Sequence, residues 1–226
     1  MEFVKVPGGK FEMGCGPWQT DCADNEKPSH LVAVTEFWIG KYEVTQGEWR
    51  KVMGMDPPTL ISMQCGDACP VTGISWVEVH EFLRKMNKDK GEKETYRIPT
   101  EAEWEYACRS GGKSEKFCGG NDPALLGWVA NNSEGVPHNV GTKAPNGLGI
   151  YDMSGNVSEW VGDWHEDGYY ARSAPENPHG PSGGVHRVNR GGGWDLAPVF
   201  IRSTARSYAS PDNRGNNLGF RVVRDK

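Results

Sequence analysis

Apolar residues recur at steps of three and four in one clear stretch of the chain. Trp76, Val79, Phe82, Leu83 and Met86 form a single stripe, the spacing of an amphipathic helix. Ser75 precedes it with Glu78 three residues on. That is a capping box, in which each side chain satisfies the other's backbone N–H. The same signature at Thr45–Glu48 and Thr100–Glu103 predicts two further helix starts, and Trp104, Ala107 and Cys108 mark the inner face of the last helix. These apolar positions read as core rather than as function.

Elsewhere the pattern alternates. FVKVPGGKFEMG (3–14) switches faces around Pro7-Gly8-Gly9 and predicts a hairpin. HLVAVTEFWIGKYEVT (30–45) predicts one strand, or two with a turn near Gly40. After Cys108 the character changes. Residues 109–226 are dense in Gly, Asn, Pro and Ser, and RVNRGGGW (187–194) and LGFRVVRDK (218–226) are the best strand candidates. No low-complexity linker and no internal repeat divides the chain. So irregular a half would bury unpaired backbone groups if it folded alone. It is therefore expected to pack on the N-terminal helices as one α+β, loop-rich domain spanning 1–226.

Composition sharpens this picture. Hydrophobic residues make up 36% while Gly numbers 30 and Trp 9, which points to a core resting on aromatic anchors rather than on long aliphatic helices. A net charge of -5 supplies no basic surface for nucleic acid. No run of about 18 apolar residues exists to span a membrane. The opening MEFVKVPGG has no signal-peptide apolar run, which leaves a cytoplasmic protein or one whose leader is absent here. The six cysteines fall into three sequence-local pairs, Cys15/Cys22, Cys65/Cys69 and Cys108/Cys118, none with the C-x-x-C spacing of a zinc site. Three local disulfides would imply an oxidising compartment, periplasmic or extracellular; free thiols are the other reading. The six histidines show no H-x-x-x-H spacing, although His165, His179 and His186 could converge in the loop-rich half.

One short segment raises a chemical question. YDMSGNVSEW (151–160) sets Asp152 and Glu159 seven residues apart around a Gly155-Asn156 turn. Either it holds a hard cation or it is a polar hairpin whose acids face solvent.

Read in order, VPGGKFEMG, KYEVTQGEW, PVTGISWVEVHEF, YRIPTEAEWEYACR, NGLGIYDMSGNVSEW, RGGGWD and NLGFRVV carry a resemblance over almost the whole chain. The chain resembles the formylglycine-generating enzyme family, the sulfatase-modifying factor domain. The resemblance implies a fold related to the C-type lectin fold, with little regular structure. It implies calcium in YDMSGNVSEW, held by carboxylates of Asp152 and Glu159 and carbonyls of Gly155 and Val157. It also implies a second calcium site at Asn131 or Asn132.

Family oxidases convert a cysteine to formylglycine with two cysteines that bind copper and the substrate thiol. Here the matching segment, GGGWDLAPVFIRSTARS (191–207), contains none, and Pro198 and Ser203 stand in their places. Ser158 stands where the oxidase has an active-site Trp. The expectation is therefore a calcium-stapled binding or accessory maturation module without the copper centre. It would grip a peptide, protein or small ligand in a surface groove lined by Trp164, Trp194, Asp195, Phe200, Arg202, Ser203, Arg206 and Tyr208. In a plainer reading Arg202 and Arg206 only hydrogen-bond loop carbonyls. The alternative function is an oxidoreductase acting on a peptide or small thiol through another metal or cofactor.

Overall fold

All three capping boxes form in the computed structural model, which describes residues 1–58, 66–88 and 95–225. Thr45 Oγ1 accepts the Glu48 N–H at 3.2 Å and Glu48 Oε2 accepts the Thr45 N–H at 3.1 Å. Ser75 with Glu78 and Thr100 with Glu103 repeat the arrangement. The helices they open are α1 (Gln46–Met53), α2 (Trp76–Asn87) and α3 (Glu101–Cys108); a short α4 (Pro123–Leu126) follows. The α2 stripe buries Val79, Phe82 and Leu83 and leaves Trp76 and Met86 half-buried. Every residue of α3 is buried, including Glu101, Glu103 and Glu105.

Ten strands complete the described architecture. They are β1 (Phe3–Val6), β2 (Gly9–Met13), β3 (His30–Val34), β4 (Phe37–Gly40), β5 (Thr95–Arg97), β6 (Ser158–Trp164), β7 (Arg187–Arg190), β8 (Arg206–Ala209), β9 (Leu218–Phe220) and β10 (Val223–Asp225). One sheet runs β1-β4-β10-β5, a second pairs β2 with β3, and a third runs β8-β7-β6-β9 with β6 and β9 parallel. The expected hairpin at 3–14 does not form. Strand β1 pairs with β4 and β2 with β3, so Pro7-Gly8 carries the chain from one sheet to another. A Cβ at Gly8 would lie 2.9 Å from both Glu36 N and Val34 O, because this crossing is pressed against the turn that ends β3. That turn falls at Thr35-Glu36 rather than near Gly40.

The two halves share their core. Trp160 from β6 and Phe220 from β9 cluster with Trp49 of α1 and Phe82 of α2. Phe82 stacks on Trp49 with ring centroids 5.5 Å apart and meets Phe220 edge-on at 5.2 Å. A second cluster gathers β2, β3 and β4 around Trp104 and Ala107 of α3. Mixed helix and strand, few helices and long connections thus match the expected class. Disulfides join Cys15 to Cys22 and Cys108 to Cys118. Cys69 is disulfide-bonded too, and its expected sequence-local partner Cys65 lies outside the described residues. Among the described residues no helix is long and apolar enough to cross a membrane.

Candidate functional site

Strand β6 and the turn before it bring three acids together. Glu159 is fully buried and is gripped by Arg221, which donates from Nε at 2.7 Å and from Nη2 at 2.6 Å. Trp104 Nε1 donates to the same carboxylate at 2.7 Å. Arg221 also donates to the Gly40 and Tyr151 carbonyls, both at 2.9 Å, and so ties β4 to the YDMSGNVSEW turn. Asp152 is 2% exposed; its Oδ2 accepts the Gly141 N–H at 2.6 Å, and its Oδ1 is buried without a partner.

Sequence reasoning missed the third acid, Glu43, whose only signal was its place inside the KYEVTQGEW motif. It accepts the Val157 N–H at 3.0 Å and the Asn156 side-chain amide at 2.7 Å. Burial, then the Asp152 and Glu159 carboxylates, push the Glu43 pKa well above the ordinary value. Burial likewise raises Asp152 to about 6, with Glu159 adding to the rise against the pull of the Gly141 N–H and Arg221.

Three buried carboxylates facing one guanidinium are short of positive charge, and either protons or a cation can supply it. The expected calcium set fits only in part. Asp152 offers an unpartnered buried oxygen, as a hard cation requires. Glu159 does not, because the Arg221 guanidinium already neutralises it and, with Trp104, places three donors on its oxygens. Glu43, beside Asp152, carries one neutral donor on each oxygen and no ion pair among the described residues, so its remaining lone pairs are the ones that could take the place of Glu159. Gly155 has φ +84, and a Cβ there would strike the Trp128 backbone, so close packing already accounts for this glycine. Val157 contributes its N–H to Glu43. At the second expected site Asn131 is exposed, and Asn132 accepts the Val129 N–H at 2.7 Å and donates to the Gly127 carbonyl at 3.1 Å. Among the described residues the one close trio of metal-ligating type is Cys15, Cys22 and Glu26, and its two sulfurs are joined to each other.

The expected groove is divided. Three of its residues belong to the scaffold. Arg202 is buried and donates to both oxygens of Glu26 at 2.8 and 2.6 Å. Arg206 donates to both oxygens of Glu101 at 2.6 and 2.8 Å. Ser203 is fully buried, with Oγ donating to the Glu115 carbonyl at 2.6 Å. The cause is the irregular backbone of this segment. Arg190 donates to the carbonyls of Ser203, Thr204 and Ala205 and pairs with Glu105 of α3, so the helix's carboxylates anchor the loop through arginines.

The remaining residues reach the surface in two places. Asp195 accepts from the Asn217 amide at 2.8 Å beside half-buried Trp194, whose indole N–H is buried without a partner; Phe200 is 58% exposed. Tyr208, 46% exposed, stacks on His165 at 3.8 Å with His186 at 5.3 Å. Trp164 lies under Arg187. His179 does not join His165 and His186; it lines a separate cleft with Trp76 and His80. Ser158 is buried and donates its backbone N–H to the Asn217 carbonyl at 2.7 Å.

Residues 1–226 match the sulfatase-modifying factor enzyme 1-like domain over their full length. The chain belongs to that family. This sulfatase-modifying factor domain is 31% identical to the chaperone protein LppX of Paenibacillus barcinonensis, across 100% of the chain and 90% of that protein. It is 28% identical to the formylglycine-generating enzyme of Streptomyces coelicolor, across 98% of the chain and 88% of that enzyme. Its fold matches PvdO from Pseudomonas aeruginosa with a TM-score of 0.85 at 30% identity, covering 99% of the chain and 94% of that structure. It matches Treponema denticola variable protein 1 with a TM-score of 0.86 at 27% identity, covering 98% and 94%.

Proposed function

We propose that this domain is a binding or maturation-accessory module and not a copper-thiolate oxidase. The observation that carries the reading is the chemistry at the two positions where the family's oxidases place cysteines. Pro198 offers no ligand atom, and Ser203 is fully buried with its hydroxyl committed to the Glu115 carbonyl. No cysteine follows residue 118, and the described cysteines are held in disulfides. Cu(I) needs soft thiolate ligands, and neither position supplies one. A relative that is named a chaperone supports the accessory reading. The exposed side chains of Asp195, Phe200 and Tyr208, with half-buried Trp194 beside them, offer contact area to a peptide, a protein segment or a small ligand.

Asp152 and Glu43 would hold a calcium ion beside the turn at Gly155, with backbone oxygens of that turn completing its shell. Bound calcium supplies charge neutralisation and a staple, with no redox part. The disulfides support an extracytoplasmic setting, periplasmic or extracellular.

The deciding experiment loads the protein with Cu(I), adds a cysteine-containing peptide under oxygen, and follows the peptide by mass spectrometry with metal analysis of the protein. The expected result is no retained copper and no aldehyde product. Stoichiometric copper with conversion of the cysteine would overturn the reading in favour of an oxidoreductase.

A further inference from the structure

Away from the acid cluster and the divided groove, a cleft of about 280 Å³ opens between the start of α2 and the far end of β6. Trp76, His80, Arg97, Thr100, Asp163 and Arg187 line it. Arg187 dominates it. Cross-strand pairing of β6 with β7 sets Arg187 opposite Trp164. Its guanidinium carbon lies 3.4 Å from the Trp164 ring centroid and 3.8 Å from that of Trp76. Trp76 is held in turn by its indole N–H, which donates to the Val161 carbonyl at 3.0 Å, and by His80 stacked on its outer side at 3.6 Å. The guanidinium is therefore clamped on both faces before any ligand arrives, and little ordering entropy remains to be lost on binding.

One donor of that cation is left without an acceptor. Nη1 donates to the Gly162 carbonyl at 2.7 Å, while the Nε–H is buried without a partner. Nε and Nη2 form the side-on edge of a guanidinium, whose two parallel N–H groups match the two oxygens of a carboxylate.

The surroundings answer this charge only weakly. Among the described residues Arg187 forms no ion pair. The cleft's other arginine, Arg97, is already shared between Glu103 at 2.6 Å and Asp225 at 2.7 Å. Thr100 is committed as the cap of α3. Asp163, the cleft's one acid, accepts the Glu101 backbone N–H at 2.8 Å. Burial, then the Glu101 carboxylate, raise Asp163 to about 8, so at neutral pH it is mostly uncharged and is only a weak counter-charge to Arg187. Burial lowers the His80 pKa as well, which keeps its ring neutral beside the incoming anion.

We infer that this cleft binds a small organic monocarboxylate, gripped bidentately by the Nε/Nη2 edge of Arg187 between Trp76 and Trp164. The volume equals roughly nine waters at their liquid share of about 30 Å³ each, which suits a compact acid and not a drug-sized molecule. This site shares no residue with the acid cluster and only Trp164 with the expected groove, so it stands whether or not the binding-module reading does.

The test is a titration of the purified protein with benzoate, followed by tryptophan fluorescence and by the Arg187 Nε–H signal in nitrogen-edited NMR. Benzamide serves as the neutral isostere. Expected is a saturable response in which benzoate binds at least roughly tenfold tighter than benzamide, as a charge-assisted fork requires. The Arg187 Nε–H resonance should shift along the same curve. Arg187→Lys keeps the charge but loses the fork, and it should weaken benzoate roughly tenfold with an unchanged benzamide response.

Equal affinities for the two probes, no saturable benzoate response, or an Arg187 resonance that stays still would each overturn the assignment. Should Arg187→Lys fail to fold, the wild-type NMR titration decides alone. A free-acid tripeptide and its C-terminal amide, run in competition, separate the sources. Displacement by the peptide acid as efficient as by benzoate itself would reassign the cleft to chain termini and overturn the small-acid reading.

Discussion

Arg221 sets its Nε and Nη2 against the two oxygens of Glu159, at 2.7 and 2.6 Å, where neither side chain meets solvent. Two desolvated charges gain from each other only because both are fully engaged: Trp104 completes the carboxylate, and the Gly40 and Tyr151 carbonyls complete the guanidinium. Removing one partner strands the other in the core. Glu159→Gln or Arg221→Met should each cost about 3–5 kcal/mol of unfolding free energy. The double change of Glu159→Gln with Arg221→Met should cost clearly less than the sum of the two. Urea unfolding of the four proteins completes the cycle, and additive losses would show that the pair is not coupled.

The raised pKa of Asp163 makes stability depend on pH in a stated direction. Its folded value of about 8 exceeds the ordinary 3.8, so the native state holds a proton that the unfolded chain has released. The stabilising contribution is complete below about pH 4, declines as pH climbs, and is gone above about pH 8. Within that window the slope approaches about 1.4 kcal/mol per pH unit, the free energy of one pKa unit. Glu101 behaves in the opposite sense. Burial raises it, but Arg206 and Arg190 outweigh that and hold it low, so its contribution is lost as pH falls below the ordinary carboxylate range. Thermal melts should therefore show a maximum at mildly acidic pH. Asp163→Asn should flatten the decline between pH 6 and 8 and leave the acid limb in place. An unchanged alkaline limb in that variant would assign the titration elsewhere.

What the sequence disclosed and what it hid divide by distance along the chain. The capping boxes at Thr45, Ser75 and Thr100 are contacts over three residues, so local pattern located the helices. The seven motifs carried the family for a different reason, through their order along almost the whole chain. The hairpin at 3–14 failed because Pro7-Gly8 signals only that the strand stops, whereas β1 finds its partner in β4 and β2 in β3. The groove arginines stood open between ligand and scaffold because their partners lie at still longer range. Arg202 meets Glu26 across 176 residues and Arg206 meets Glu101 across 105, and no spacing rule distinguishes such an arginine from one that faces a ligand. Glu159 read as a calcium ligand or as an acid facing solvent, because its partner Arg221 stands 62 residues away in a segment that read only as a strand.

Calcium binding by Asp152 and Glu43 would convert two carboxyls with raised pKa values into ionised ligands. At neutral pH, addition of calcium at about a hundred times its dissociation constant should raise stability by about 2.7 kcal/mol, and chelation should remove the gain. Asp152→Asn and Glu43→Gln should each abolish the difference between calcium and chelator, whereas Asn131→Ala should keep it. Differential scanning fluorimetry reads this directly. Superimposable melts with calcium and with chelator would leave protons as the neutralising partner.

The Cys108–Cys118 bridge ties the buried end of α3 to the following loop, and both residues are at most 4% exposed. Removing it as Cys108→Ala with Cys118→Ala should cost about 2–4 kcal/mol, and the void left by two buried sulfurs adds to that cost. Thiol titration of the denatured, unreduced wild type should find few reactive thiols. Titration of all six would place the protein in a reducing setting and contradict the extracytoplasmic reading.

Surface and scaffold can be separated within the segment that follows β7. Phe200 and Tyr208 are 58% and 46% exposed, while Arg202 is 4% exposed and bound to Glu26. Phe200→Ala and Tyr208→Ala should leave the unfolding free energy within about 0.5 kcal/mol, as for surface positions generally. Arg202→Ala should lower it by about 3–5 kcal/mol by leaving the Glu26 carboxylate buried and unpaired. A client peptide bound by the wild type should be held more weakly by the first two variants, with unchanged circular dichroism. If it is held equally well by both, the exposed aromatics are not the recognition face. Weakened binding in Arg202→Ala alone would not restore them, because that variant loosens the loop carrying Phe200, and the melting curve must be read beside the binding curve.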